Sequence, residues 1–297
     1  LEDLIKLEEE FKKLKVEMWK EAKKILETEY PRRDGQLDGE CTVQMAKLQK
    51  KFNKKINELR EKLDDALAYK NEKTRNEKLI EFQNYIASLN FLDPACGSGN
   101  FLTETYLSLR RLENEMLSAM SKGMMMLDIA DTIKVSIQQF YGIEVNDFAV
   151  KVAKTALWIA EAQMWTETKK IISSFTNISD FLPLETYDNI VEGNALRINW
   201  NDVISNNKCS YIMGNPPFVG SKYSDKEQKL DMDYVFENNS KIKYRTLDYV
   251  TCWFYLASKY ILETEIKCAF VSTNSITQGE QTGIIWKPII EMGITIN

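Results

Sequence analysis

Residues 90–101 read NFLDPACGSGNF and join a short apolar segment to an amphipathic one. Asn90–Asp93 is typical of a buried strand that ends in an acid, and Phe101–Glu115 has the spacing of a helix. Gly97 and Gly99 allow the backbone between them to turn tightly and to approach a ligand closely. An ordinary strand-to-helix turn has the same pattern, whereas a dinucleotide fingerprint needs a third glycine that is missing here.

The alternation of apolar and amphipathic segments continues along the chain. Further strands are predicted at Phe140–Glu144, Ile190–Glu192, Tyr211–Met213 and Lys267–Ser272. Helices are predicted at Glu81–Leu89, Asp147–Met164 and Leu247–Leu262. Strands that alternate with helices predict a parallel sheet that is covered by helices on both faces. Ligands of such sheets bind at the carboxyl ends of the strands, which is where the polar motifs described below fall.

Residues 1 to about 80 have a different composition, rich in Lys, Glu and Leu at helical spacing. They predict a helical hairpin or small bundle, so we divide the chain into a helical connector at 1–80 and a second domain at 81–297. The stretch 41–62 carries seven Lys or Arg against two acids. It could contact a phosphate backbone, although a solvated helix face is the plainer interpretation. An additional helical insertion is predicted at Met116–Gln139.

The composition limits the chemistry that this chain can perform. Hydrophobic residues make up 44% and charged residues 28%, which is typical of a globular protein, and no apolar run reaches the roughly 20 residues of a membrane span. The chain has no histidine, the commonest general base and metal ligand. Its five cysteines form no CxxC pair, so we predict no metal site, no disulfide framework and a reducing, cytoplasmic setting. With a net charge of −5, a surface for nucleic acid has to be local.

Residues 211–218 read YIMGNPPF and predict a strand that runs into a rigid turn. Two consecutive prolines fix the backbone and remove two N–H donors, so nearby carbonyl groups are free to face a ligand. An exocyclic amine has two N–H donors, and the side-chain oxygen of Asn215 together with the carbonyl of Pro216 could accept both. Phe218 could stack on a base that has left its duplex. A plain Asn-Pro-Pro turn has the same letters, but the neighbouring motifs favour the functional interpretation.

Two of these motifs resemble those of a known enzyme family. The string DPACGSGNF at 93–101 resembles the S-adenosylmethionine-binding motif of the amino-methylating DNA methyltransferases, and NPPF at 215–218 resembles their catalytic motif. The cofactor motif comes first, as in one type of N6-adenine DNA methyltransferase. LDY at 247–249, WF at 253–254 and FVSTNSITQGEQ at 270–281 extend the resemblance to the large single-chain type II restriction–modification enzymes typified by MmeI.

The resemblance implies a doubly wound, Rossmann-like class I methyltransferase sheet of the α/β class, preceded by an α-helical segment. It implies a site-specific DNA methyltransferase that uses S-adenosyl-L-methionine to methylate N6 of a flipped adenine, without a metal. Glu144 would bind the ribose diol, because a carboxylate accepts two hydroxyl hydrogen bonds. Asn194 would bind the cofactor's adenine, unless it is a turn asparagine that bonds its own backbone. The cofactor-binding residues would be Asp93, Pro94, Ala95, Gly97, Gly99, Asn100, Phe101, Glu144, Asn146, Asn194 and Ala195, and the catalytic residues Asn215, Pro216, Pro217 and Phe218.

Double-stranded DNA is the implied partner. We expect it to be bound partly by regions absent from this chain, because the sequence stops at the start of a further strand and before a target-recognition domain. Cytosine-C5 chemistry is excluded because no Pro-Cys dipeptide supplies its nucleophile. Asn215 favours adenine over cytosine N4, where Ser usually precedes Pro-Pro. Two alternatives stay open, a protein glutamine-N5 methyltransferase with a similar Asn-Pro-Pro-aromatic motif and a non-catalytic methyltransferase-like scaffold subunit.

Overall fold

The computed structural model describes four stretches of the chain, at 53–121, 133–172, 187–236 and 242–296. All four belong to one compact unit, Met45–Asn297. The helices predicted before residue 53, most of the basic stretch at 41–62 and the central part of the predicted insertion lie outside the described residues.

Five strands form one parallel sheet in the described part of the chain. They are β1 (Phe91–Asp93), β2 (Phe140–Glu144), β3 (Ile190–Glu192), β4 (Tyr211–Gly214) and β5 (Lys267–Phe270). Their order across the sheet is β3-β2-β1-β4-β5, and every neighbouring pair is parallel. The parallel sheet predicted from the sequence is therefore confirmed.

The strand order reverses at the centre of the sheet. The chain adds β2 and then β3 on one side of β1, and it then crosses back to add β4 and β5 on the other side. The register sets Asp93 beside Gly142 and Glu144 beside Glu192. The carboxyl ends of β1 and β4 therefore flank the reversal point, which is where open α/β sheets bind their ligands.

Helices connect the strands, as the parallel arrangement requires. The described helices are α1 (53–67), α2 (Glu72–Ser88), α3 (Asn100–Ser121), α4 (Asp147–Ile172), α5 (Trp200–Val203), α6 (Lys226–Phe236), α7 (Thr251–Tyr260) and α8 (Glu280–Glu291). The helix predicted from Phe101 begins at Asn100 and continues to Ser121, into the predicted insertion. None of the described helices is long and apolar enough to span a bilayer.

The two faces of the sheet carry separate hydrophobic clusters. Phe91 and Phe140 belong to the first cluster, which is built with residues of α1 to α4. Leu92 and Ile143 belong to the second, which is built with residues of α5 to α8. Since successive residues of a strand point to opposite faces, the helices cover the sheet on both sides. Doubly wound packing is thus present, and it leaves the strand ends as the open edge.

The predicted boundary at residue 80 falls inside one continuous helix, α2. Leu79 and Ile86 on this helix are both fully buried in the first cluster. The Gln83 side chain donates a hydrogen bond of 2.7 Å to the buried carboxylate of Glu113 in α3. α2 is therefore joined to α3 by both apolar and polar contacts, and a separate connector domain stays a prediction.

Candidate active site

Asp93 ends β1 with a side chain that has no solvent exposure. Its Oδ1 accepts a hydrogen bond of 3.0 Å from the backbone N of Ala95, whereas Oδ2 is buried without a hydrogen-bond partner among the described residues. Burial, with a smaller contribution from Glu144, raises the pKa of the Asp93 carboxyl to about 7. A buried acceptor without a donor is costly, so Oδ2 is suited to a ligand that brings a donor.

The glycine turn after Asp93 is held on the end of β2. The backbone N of Gly97 donates to Oε2 of Glu144 at 2.9 Å, and the backbone N of Cys96 donates to the carbonyl of Ile143 at 3.2 Å. Gly97 has φ +53° and Gly99 has φ +77°, a left-handed conformation that glycine adopts without strain. The tight turn predicted from the sequence is therefore confirmed.

The two glycines of this turn offer a matched pair of alanine substitutions. A Cβ at Gly97 would meet nothing within 4 Å, whereas a Cβ at Gly99 would lie 2.9 Å from the Cβ of Ala153 in α4. We expect Gly97→Ala to cost about 1–2 kcal/mol for its left-handed backbone. Gly99→Ala should cost about 1–3 kcal/mol more, because it also overpacks the contact with α4. Urea unfolding midpoints measure the difference, and equal midpoints would contradict close packing at Gly99.

Glu144 ends β2 and accepts hydrogen bonds through both carboxylate oxygens. Oε2 bonds the glycine turn, and Oε1 accepts from the backbone N of Asn146 at 2.9 Å. The Asn146 side chain in turn accepts from the backbone N of Ala149 in the first turn of α4, at 3.1 Å. Each carboxylate oxygen has a further lone pair. The Glu144 side chain therefore keeps acceptor capacity for a diol.

Two apolar side chains near Glu144 are exposed, and the polar sequence motifs do not include them. Val145 is 69% and Phe148 is 65% exposed, although both lie at the junction between β2 and α4. A pattern of polar residues cannot identify these two side chains, because both are apolar. The available signal is two large apolar residues within four positions of a strand-ending acid, where a solvated turn would carry polar residues.

Asn194, in the turn after β3, uses both of its polar side-chain atoms within the protein. Its Oδ1 accepts from the backbone N of Leu196 at 2.9 Å, and its Nδ2 donates to Oδ2 of Asp231 at 2.9 Å. The first bond is that of a turn asparagine, the alternative raised by the sequence. Gly193 donates its backbone N to the Glu144 carbonyl at 2.8 Å, so the turn lies beside the end of β2. An adenine-binding role for Asn194 stays a prediction.

The NPPF motif starts where β4 packs on Asp93. A Cβ added at Gly214 would lie 2.6 Å from Oδ1 of Asp93, so only glycine allows this approach. Asn215 follows directly, and its Oδ1 is buried without a hydrogen-bond partner among the described residues. Pro216 is buried and Phe218 is half-buried. Unpaired buried acceptors therefore lie on β1 and just beyond β4, two neighbouring strands that flank the reversal point.

Hydrogen bonds anchor the NPPF loop at both ends. The Gly214 carbonyl accepts from the backbone N of Val271 at 3.0 Å, and the Val219 carbonyl accepts from the backbone N of Tyr249 at 2.8 Å. The backbone N of Ser221 donates to Oδ1 of Asp248 at 3.1 Å. These bonds fix the backbone on either side of Asn215, so the loop backbone does not have to be ordered when a ligand binds.

The side chains of Asp93, Glu144 and Asn215 offer hydrogen-bond acceptors at these strand ends. Within the described residues there is no group of three or more His, Cys, Asp or Glu that could hold a metal ion. Clefts of about 460 and 340 Å³ lie among α1 to α4, and none of the motif residues lines them. At this edge of the sheet Glu144 is hydrogen-bonded to Gly97 and Gly193, and Gly214 packs closely on Asp93.

Three comparisons with known proteins bear on this site. The family described as MmeI, DNA-methyltransferase domain, matches residues 69–297. DNA methyltransferase A of Bacillus subtilis strain 168 is 43% identical over 223 residues, 74% of this chain and 25% of that protein. A putative type II restriction enzyme and methyltransferase of Methanocaldococcus jannaschii is 29% identical over 111 residues, 36% of this chain and 9% of that protein. The chain thus spans a quarter or less of these relatives.

A solved structure agrees with the sequence matches. The type IIL restriction-modification enzyme MmeI, solved in complex with DNA, matches with a TM-score of 0.73 and 39% sequence identity. The match covers 82% of this chain and 31% of that one. Because the family match takes in the sheet, the glycine turn and the NPPF loop, this chain belongs to the MmeI DNA-methyltransferase family.

Proposed function

We propose that this chain transfers a methyl group from S-adenosyl-L-methionine to N6 of a flipped adenine in double-stranded DNA, within a cytoplasmic restriction–modification enzyme. The observation that carries the proposal is the buried Oδ1 of Asn215, which has no partner among the described residues and lies one residue beyond the contact of Gly214 with Asp93. The strand order 3-2-1-4-5, which reverses at β1, supports our assignment of the sheet to the Rossmann-like class I methyltransferases.

The residues at the strand ends fit the proposed cofactor. Oδ2 of Asp93 has no donor in the described stretches of the chain, and the α-ammonium of a methionine moiety supplies one. Glu144 retains lone pairs for the ribose hydroxyls, and exposed Val145 and Phe148 offer apolar surface for a purine. Pro94, Ala95, Asn100 and Phe101 complete the turn and the start of α3 around these groups, with Ala195 in the turn after β3.

The proposed reaction needs positioning more than acid–base catalysis. S-adenosyl-L-methionine, when bound, supplies an electrophilic methyl group on a sulfonium sulfur. The Asn215 oxygen and the Pro216 carbonyl accept the two N–H groups of the target amine, which directs the nitrogen lone pair toward the methyl donor. Pro217 holds the turn rigid, and Phe218 stacks on the extruded base. The amine becomes acidic as it is methylated and releases a proton to water, so no histidine is required.

Cofactor binding is the first test of the proposal. Addition of S-adenosyl-L-methionine at about 100 times its dissociation constant should stabilise the chain by about 2.7 kcal/mol, because the ligand binds the folded state. Thermal unfolding with and without the cofactor measures this, with ATP at the same concentration as a control. An unchanged unfolding curve at millimolar cofactor would contradict the proposal.

The methyl acceptor is identified by mass spectrometry. The chain is incubated with isotopically labelled cofactor and duplexes that carry adenine either paired with thymine or opposite a mismatched base, because a mismatch lowers the energy of base flipping. Digestion to nucleosides should yield labelled N6-methyladenine, with a higher yield from the mismatched duplex. Label in N4-methylcytosine, or in protein glutamine from a parallel incubation with peptide substrates, would overturn the choice of adenine. Cofactor binding without transfer to any acceptor would favour a scaffold.

A further inference from the structure

A buried carboxylate on α6 joins elements that lie far apart in the sequence. Asp231 is 8% exposed and accepts three hydrogen bonds. The donors are Nδ2 of Asn194 at 2.9 Å, Nε of Arg197 at 2.7 Å and the hydroxyl of Tyr249 at 2.7 Å. A buried carboxylate is tolerated when donors of this kind surround it. Asp231 therefore fixes the turn after β3 against the helices that follow the NPPF loop.

Tyr249 contacts the NPPF loop as well as Asp231. Its backbone N donates to the Val219 carbonyl at 2.8 Å, while its hydroxyl donates to Oδ2 of Asp231, the oxygen that also holds Asn194. The ring is 6% exposed, and burial together with Asp231 raises the pKa of the hydroxyl, which keeps it protonated as a donor. One residue thus links the loop that would hold the target amine to the turn that would hold the adenosine.

Helix α7, which begins two residues after Tyr249, reaches the glycine turn. Trp253 lies one helical turn after Tyr249, and their rings pack edge-on with centroids 5.3 Å apart. Its Nε1 donates to the Pro94 carbonyl at 3.1 Å. Pro94 directly follows Asp93. Through Trp253 and Pro94, Tyr249 could therefore also influence the methionine end of the proposed cofactor site.

We propose that Tyr249 and Asp231 are positioning residues that orient the Asn194 turn for the adenosine portion of the cofactor. This inference rests on the proposed function, and it adds residues that have no direct contact with the reacting atoms. Without the Tyr249 hydroxyl, Oδ2 of Asp231 keeps Asn194 as its partner but loses the bond that ties α6 to the segment directly before α7. The Asn194 turn then has more freedom, and adenosine binding has to order it.

Tyr249→Phe tests the inference with two probes, S-adenosylhomocysteine and 5′-methylthioadenosine. Both contain the adenosine portion, and the second lacks the amino acid. We expect the dissociation constants of both to rise by up to about tenfold, because binding then has to order the turn that the lost bond held in place. A weaker S-adenosylhomocysteine complex with unchanged 5′-methylthioadenosine binding would overturn the inference, because the effect would then come through Trp253 and Pro94.

Tyr260→Phe is the matched control. Tyr260 ends α7, is buried to the same extent as Tyr249 and donates its hydroxyl to the Ile204 carbonyl at 2.6 Å, away from the strand-end turns. Both variants should lose similar thermal stability, but Tyr260→Phe should bind both probes as the unsubstituted chain does. Equal binding by Tyr249→Phe and Tyr260→Phe would show a merely structural role and refute the inference. If the unsubstituted chain binds neither probe, the proposed function itself fails.

Discussion

Asn215→Ala is expected to lower the rate of methyl transfer at saturating cofactor by about two to three orders of magnitude, the usual cost of removing one preorganised polar group from an active site. The Asn215 oxygen is buried just beyond β4 without a partner in the part of the chain that the structure describes, and hydrogen bonds fix the loop backbone on both sides of it. Its loss leaves the target amine with one acceptor instead of two. Cofactor affinity should change by less than about fivefold, because the lost interaction belongs to the transition state.

The experiment separates the lost oxygen from a disturbed loop. Asn215→Asp keeps an acceptor oxygen at the same place and should keep more activity than Asn215→Ala. Asn206→Ala removes another asparagine, whose Nδ2 donates to the Tyr260 carbonyl at 3.2 Å away from the NPPF loop, and it should leave the rate unchanged. Single-turnover rates with a mismatched duplex report the chemical step. If Asn215→Ala matched the unsubstituted chain in this assay, the amine-acceptor mechanism would be wrong.

The sequence predicted the centre of the sheet because local signals there agree. Phe91 and Leu92 are both apolar because each faces a different helical layer, and the acid and glycines that follow end the strand abruptly. The observed β1, Phe91–Asp93, and the glycine turn match the prediction to within a residue. Local periodicity was sufficient because a central strand of a doubly wound sheet is apolar on both faces.

Other features could not be predicted, because they depend on contacts between residues that are far apart in the sequence. The composition changes near residue 80, yet α2 continues across that position, because its buried side chains follow packing on α3 rather than average charge. α6 was not predicted, and its Asp231 looks in the sequence like any solvated acid. Asp231 gains its role only when folding brings it to Asn194, 37 residues earlier. Similarly, the glycine at 214 is explained by the approach of Asp93 from another strand.

Asp93→Asn should stabilise the chain in the absence of cofactor at pH 8, with a gain that shrinks as the pH falls. Burial raises the folded-state pKa of this carboxyl to about 7, well above the value near 3.9 of an unfolded aspartate. Between these values the folded chain keeps a proton that the unfolded chain has lost, so the free energy of unfolding decreases as the pH rises. The stability lost by burying the ionised carboxyl, roughly 4 kcal/mol, is fully lost above pH 7 and not lost at all below about pH 4.

Cofactor binding should respond to the same substitution in the opposite direction. If Oδ2 of Asp93 accepts from the ammonium of S-adenosyl-L-methionine, Asp93→Asn should weaken binding by about tenfold to a hundredfold, since a charge-assisted bond is lost. In the unsubstituted chain, affinity should rise between pH 6 and 7.5 as the buried carboxyl ionises, and this rise should vanish in the variant. The charged carboxylate would then serve cofactor binding at the expense of folding stability, a compromise that is common at functional sites.

Urea unfolding at pH 5 and pH 8, combined with titrations of the cofactor at pH 6 and 7.5, measures both effects on the same two proteins. Asp65→Asn is the control, because that aspartate is exposed on α1 and should show neither effect. A variant whose stability gain is the same at both pH values would show that Asp93 is already ionised in the folded chain at pH 5. A stability gain that depends on pH, together with unchanged cofactor affinity, would instead mean that the buried carboxylate is strained for a reason other than holding the methyl donor.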